Sequence, residues 1–151
     1  MSDRLRRIAG VIGAIVLLAC SGAATAAPVP GYPFAYATNE CGPADGPAVT
    51  VYLSSRALDS LPPAAGHLAL TVWVGRDEAL GRTFRSSDQP VLGFATECGP
   101  EARCDPAAAW RVTLRGFAGD TLDGSVDLRF GGRVVAGSFR ARWMPRRQYC
   151  G

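Results

Sequence analysis

The sequence predicts an all-β domain, on three observations. Several windows alternate apolar and polar residues with a period of two. No window sustains the 3.6-residue period of an amphipathic helix. Glycine and proline, 18 and 11 in 151 residues, interrupt the alternating windows where turns are needed. Together these give about seven strands in a single antiparallel β-sandwich, with a partly open barrel as the alternative.

The clearest element is the stretch from Asp120 to Trp143, a hairpin closed on Gly131-Gly132. A two-residue loop makes facing residue numbers sum to a constant, so Phe130 faces Arg133, Leu128 faces Val135 and Leu122 faces Ala141. In this register Leu122, Val126, Leu128, Phe130, Val135, Phe139, Ala141 and Trp143 share one face. Asp123, Ser125, Asp127, Arg129, Ser138, Arg140 and Arg142 share the other, with Asp123 directly opposite Arg140. The first face is core and the second is solvated.

The chain divides into three parts. Residues 1–27 carry Arg4, Arg6 and Arg7 ahead of an apolar run from Ile8 to Ala19, which is too short for a bilayer span of ~20 residues and has the form of an export signal. Two cleavage sites compete: Ala24-Thr25-Ala26, and a lipobox-like Leu17-Leu18-Ala19-Cys20 that would make Cys20 a lipidated first residue. Residues 28–40, rich in proline at the start, form an extended leader that is either disordered or draped over the domain. Residues 41–151 form the all-β domain.

Within the domain, Val49 to Ser55 alternates as a strand. Residues 56–66, with Pro62-Pro63, form a loop. His67 to Gly75 is apolar at nearly every position, which suits a central strand covered on both faces. Arg76 to Leu80 turns, Gly81 to Ser86 returns as a strand, and Val91 to Thr96 is another. Trp110 to Phe117 alternates cleanly. A weak internal repeat relates 37–43 to 95–100, 51–55 to 112–116, and 70–85 to 126–140. If it reflects duplication, residues 67–86 form a looser copy of the C-terminal hairpin.

Once Cys20 is removed or lipidated, Cys41, Cys98, Cys104 and Cys150 remain, an even set that reads as two disulfides in an oxidising compartment. Of three connectivities the favoured one joins Cys98 to Cys104 across a short loop and Cys41 to Cys150 across the domain. Loop-closure entropy assigns these about 2.4 and about 4.8 kcal/mol. Zinc is the weaker reading of four cysteines, since no C-x-x-C pair occurs.

Charge narrows the function classes. The whole chain carries 16 arginines, no lysine and 13 acids. Setting aside the three early arginines and Asp3 leaves 13 against 12, a balance of +1. That is far from the basic domains that track nucleic-acid phosphates, so nucleic acid is not an expected partner. His67, the single histidine, has no nucleophile motif to serve and is expected to face solvent at a strand start. No metal or cofactor motif is present, so no cofactor is expected. The candidate binding residues are Arg129, Arg140 and Arg142 on the wet face of the hairpin, joined by Arg111 and Arg115 if their strand lies alongside. A solvated sheet face is the alternative reading of the same residues.

The closing pattern Gly137-x-Phe139-x-Ala141-x-Trp143, followed by Cys150-Gly151, resembles small exported bacterial proteins of unassigned function with a β-sandwich appearance. The resemblance implies export and β structure and carries no activity over. Periplasmic lysozyme inhibitors are similar in size and disulfide dependence, but none of their inhibitory motifs maps here. The expectation is therefore an exported, non-enzymatic envelope or secreted protein acting by binding or structural association, periplasmic or secreted, and in contact with the membrane only through a lipid at Cys20. Two alternatives are an inhibitor or immunity-like partner of an exported enzyme, docking through a preorganised Glu97–Asp105 loop, and a small hydrolase using converging carboxylates.

Overall fold

A computed structural model describes residues 28–147, Tyr149 and Cys150. Residues 1–27, which the sequence reads as an export signal and which include Cys20, lie outside the described residues. Nine strands are present: β1 (Phe34–Cys41), β2 (Pro47–Ser54), β3 (His67–Val72), β4 (Arg82–Arg85), β5 (Gly93–Cys98), β6 (Cys104–Pro106), β7 (Ala109–Ala118), β8 (Thr121–Phe130) and β9 (Arg133–Trp143). One short helix, α1 (Arg76–Ala79), and a 3₁₀ turn at Pro43–Asp45 complete the regular structure among the described residues. The strands form one sheet in the order β4-β7-β8-β9-β1-β2-β3-β5-β6, curled into an open half-barrel. The all-β expectation holds, in the partly open barrel form. Hydrogen bonding runs unbroken from β4 to β6, so the apolar inner faces meet across the curl of a single sheet.

The β8–β9 hairpin has the register expected from its alternation, including Phe130 opposite Arg133, Leu128 opposite Val135 and Asp123 opposite Arg140. Leu122, Val126, Leu128, Val135, Phe139 and Ala141 are buried, while Phe130 and Trp143 pack at the core's margin. The Phe139 ring lies over Gly124, its partner in the register. A side chain at 124 would occupy the space the ring fills.

Residues 28–40 are not all leader. Phe34 to Cys41 form β1, an interior strand paired along its whole length with β2. Its inward residues Ala35, Ala37 and Asn39 have weak β propensity, so alternation was hard to read there. What they provide is room: small side chains let β1 sit against a crowded core, with Ala37 fully buried.

β3 is covered on both faces, as its continuous apolar pattern predicts, and lies between β2 and β5. It does not pair with β4. β4 sits at the opposite edge of the sheet against β7, so residues 67–86 do not form a second copy of the C-terminal hairpin. The reason lies between the two strands. The chain leaves the sheet through α1, whose Ala79 is fully buried, and whose Arg76 guanidinium stacks 4.0 Å from the Phe117 ring centroid and 5.1 Å from that of Trp143. This plug closes one end of the curl and carries β4 across to the far edge.

The seam of the sheet is the parallel junction of β1 with β9, where only Tyr36–Arg142 and Ala37–Trp143 are in register. The C-terminal segment extends it. Met144 N–H donates to the Ala37 carbonyl at 2.8 Å, Asn39 and Arg146 exchange side-chain to backbone bonds of 2.6 and 2.8 Å, and Arg146 pairs with Glu40 at 2.9 Å. The Cys41–Cys150 disulfide, with Cα atoms 5.5 Å apart, ends the clasp. Cys98 and Cys104 form the second disulfide. Both pairings are the favoured ones, and two disulfides fit an oxidising environment.

Replacing Gly124 with Ala is expected to destabilise by about 1–3 kcal/mol, since the new Cβ would overlap the Phe139 ring and approach the Thr113 carbonyl oxygen to 2.6 Å. Gly132→Ala, with no atom within 4 Å of the new Cβ, should stay within about 0.5 kcal/mol. Urea unfolding of the two variants measures the contrast.

Candidate functional site

Opposite the end plugged by α1, the half-barrel opens into a cleft of about 550 Å³. Three distant pieces of chain meet there. The first is a tight turn, Val29-Pro30-Gly31-Tyr32, in which Pro30 and Gly31 take the two central positions, Gly31 has φ +81°, and Tyr32 N–H donates to the Val29 carbonyl at 3.2 Å. That is the residue pattern of a type II turn. Val29 is buried in the core, and Pro28 bridges to Ser138. Gly137 makes this possible, because a Cβ there would lie 2.7 Å from the Val29 nitrogen. The leader is thus draped over the domain and anchored at two points.

The second piece is Glu97 on β5, and the third is Arg133 at the start of β9. Glu97 Oε1 accepts from the Tyr32 hydroxyl at 2.6 Å, and Glu97 Oε2 is ion-paired with Arg133 Nη2. Both carboxylate oxygens are engaged. Burial, then the hydrogen bond and negative charge of Glu97, push the Tyr32 hydroxyl up to about 12, with Arg133 opposing. The bond to Glu97 in turn raises Arg133 above its ordinary value. At neutral pH the Tyr32 phenol is neutral and the Arg133 guanidinium is charged, and both are held on Glu97 in one arrangement.

One wall of the cleft is the hairpin between β5 and β6. The Cys98–Cys104 disulfide closes it, and Gly99 N–H donates to the Arg103 carbonyl at 2.9 Å. From Pro100 to Pro106 every residue is exposed. Glu101, Arg103 and Asp105 face the cleft, Arg103 lying 3.7 Å from Asp105 in a fully solvated pair worth little. The Glu97–Asp105 segment singled out from sequence is therefore a preorganised, projecting element. Tyr32 and Arg133 were missed. The Pro-Gly turn signal that positions Tyr32 was present in the sequence, whereas nothing in Arg133 marked it as nearer to Glu97 than to any other acid.

The sequence-predicted arginines lie elsewhere. β7 does pair with β8, so Arg111, Arg115, Arg129, Arg140 and Arg142 share the outer face of the β7-β8-β9 sheet and all are exposed. Arg115 occupies a bulge between Leu114 and Gly116 and donates to the Gly124 carbonyl at 3.1 Å. Arg140 pairs with Asp123 at 3.2 Å, the contact expected from the register. Among the described residues no group of three or more His, Cys, Asp or Glu side chains could hold a metal ion.

His67 does not face solvent. It is 6% exposed, 5.6 Å edge-on from the Tyr52 ring, with Ser54 and Cys98 beside it in the register. The outer face of β2 and β3, and of β1 at Tyr36 and Thr38, is buried as well as the inner one. The segment after β2 lies over it, with Arg56 N–H donating to Ser54 Oγ and Leu58 N–H to the Tyr36 hydroxyl. That second layer could not be read from one strand. The hydroxyl-bearing residues buried on this face are Tyr36, Thr38, Thr50, Tyr52, Ser54 and Thr71, with Thr50 and Thr71 bonded to each other at 2.8 Å. His67 Nδ1 is buried without a hydrogen-bond partner among the described residues.

No family model, curated protein or solved structure matches this chain.

Burial holds the His67 imidazole below its ordinary value of 6.5, the Ala65 backbone opposing. The unfolded chain then binds a proton that the folded chain refuses, so stability is complete above about pH 7 and declines as pH falls below about 6.5. His67→Gln should flatten that slope in urea unfolding at pH 7.5 and 5. A second expectation concerns the leader: Tyr32→Ala removes its bond to Glu97, and limited proteolysis should cut within residues 28–33 several-fold faster than in the unaltered protein.

Proposed function

We propose that the protein is exported and works without catalysis, by binding a partner in the envelope or outside the cell. The observation that carries this reading is the disulfide-closed hairpin from Cys98 to Cys104, which projects with its tip exposed beside a cleft whose floor is the Tyr32–Glu97–Arg133 group. A loop already confined by a cross-link loses little conformational entropy on docking, which favours affinity. The cleft volume is within the range of small-ligand sites, and its open shape also suits a protruding side chain or loop of a protein. A basic signal-like segment ahead of a domain with two disulfides supports export.

An inhibitor or immunity-like role is the specific form this hairpin favours, because rigid exposed loops are how small proteins occupy another protein's groove. The hydrolase alternative draws on the convergence of Glu97, Glu101 and Asp105 in one cleft. Against it, Glu97 is held by Tyr32 at one oxygen and Arg133 at the other, contacts that fix the carboxylate in place and point it at neighbours within the fold.

The experiment is a comparison of captured proteins. Immobilised protein should retain a partner from envelope extract that Glu101→Arg and Arg103→Glu variants, which reverse charges at the hairpin tip, retain at least tenfold less. Equal retention by the variants sinks the hairpin as the contact.

A further inference from the structure

The outer face of β7, β8 and β9 carries more arginine than acid: Arg111, Arg115, Arg129, Arg140 and Arg142 stand against Asp123 and Asp127, with Asp127 opposite Arg111 in the register. Arg82, Arg85, Arg103, Arg133, Arg140 and Arg146 each lie within 4.0 Å of a carboxylate. Arg111, Arg129 and Arg142 are exposed on β7, β8 and β9, and among the described residues none of them makes an ion pair. Like charges spread over one face repel, and counter-ions supply the missing negative charge in solution.

Apolar side chains stand beside these cations. Val134, 61% exposed, is the register partner of Arg129, and Phe34, 40% exposed, shares a groove of about 460 Å³ with Tyr36, Thr121, Arg140 and Arg142. From the Arg129–Val134 pair to the Thr121–Arg142 pair is eight residues of strand, roughly 27 Å at the usual rise. The strip therefore has arginine and an apolar side chain at both ends. Guanidinium groups suit phosphate through paired hydrogen bonds, and neighbouring apolar groups suit the boundary between headgroups and acyl chains.

A lipid at Cys20 would keep the same strip within reach of a bilayer. The described fold begins at Pro28, which bridges to Ser138 of β9. Cys20 is eight residues earlier in the sequence, a reach of at most about 29 Å.

We propose that the outer strip of β8 and β9 docks on the phosphate headgroups of an anionic phospholipid bilayer, with Arg129 and Arg142 on phosphates and Phe34 and Val134 at the headgroup boundary. The proposal rests on the exported reading, and on Cys20 only for the tether. It is separate from the cleft, which would be left for a partner.

The test uses the purified full chain with Cys20→Ser, so that no acyl chain contributes, sedimented with phosphatidylcholine vesicles or with vesicles that also contain phosphatidylglycerol. The expected result is binding to the anionic vesicles alone, weakening steeply with salt. Arg129→Gln with Arg142→Gln should reduce it about 30-fold, as expected for two surface arginines. Phe34→Ser should weaken it while leaving the salt dependence intact. Arg82→Gln with Arg103→Gln removes the same charge elsewhere and should have little effect. Equal binding to both vesicle types, absence of binding to either, or equal loss from the two arginine pairs overturns the proposal. Circular dichroism confirms that each variant is folded. Cell fractionation scores export separately: a chain retained in the cytoplasm removes the exported reading and leaves the vesicle result to be judged by itself.

Discussion

The fold depends on the junction between β1 and β9. Every other neighbouring pair in the sheet is antiparallel, and the long pairs have extended registers, but here two parallel residue pairs join one half of the sheet to the other. A seam so short would open easily if backbone bonds alone held it. The residues beyond Trp143 continue alongside β1, and Arg146 serves twice, through its backbone on Asn39 and its guanidinium on Glu40. The Cys41–Cys150 cross-link makes this local alignment a constraint on the whole chain, because it closes nearly the full domain into a loop and so removes a large share of unfolded-state freedom.

With the seam held, the half-barrel has two unlike ends. At one end Arg76, Phe117 and Trp143 stack into a plug, with the fully buried Ala79 of α1 beneath. At the other, the leader, the β5–β6 hairpin and the β8–β9 turn meet around Glu97. The same asymmetry gives the two ends opposite chemistry. Apolar and stacked groups occupy the closed end, while charged and exposed groups border the open one, where desolvation by a partner would strengthen their interactions.

How much of this was legible in the sequence follows from how local each signal is. The β8–β9 register was readable because a two-residue turn and strict alternation leave one pairing that buries Leu122, Val126, Leu128 and Phe139 together. β3 was readable because most of its residues, Leu68, Ala69, Leu70 and Val72, are apolar on both faces. β1 was not, since Ala35, Ala37 and Asn39 give little propensity and owe their burial to neighbours far away in sequence. The burial of His67 escapes the sequence for a related reason: its neighbours Tyr52 and Cys98 come from other strands, and nothing in a strand's own residues shows whether its outer face is wet.

By itself, the sequence determined the strand character of most of the chain, the faces and register of the terminal hairpin, and the two disulfide pairs. These depend on periodicity, turn chemistry and loop length, which act over a few residues or count residues between cysteines. Tertiary structure alone decided that β3 and β4 part company, that the sheet curls instead of splitting into two, and that Tyr32, Glu97 and Arg133 form one group. Each of those outcomes needs non-local contacts: a plug that redirects the chain, a seam between distant strands, and a charge that finds its partner only after the curl has brought them together. Arg133 is the plainest case, for its neighbours in sequence are glycines and valines and its neighbour in space is an acid 36 residues away.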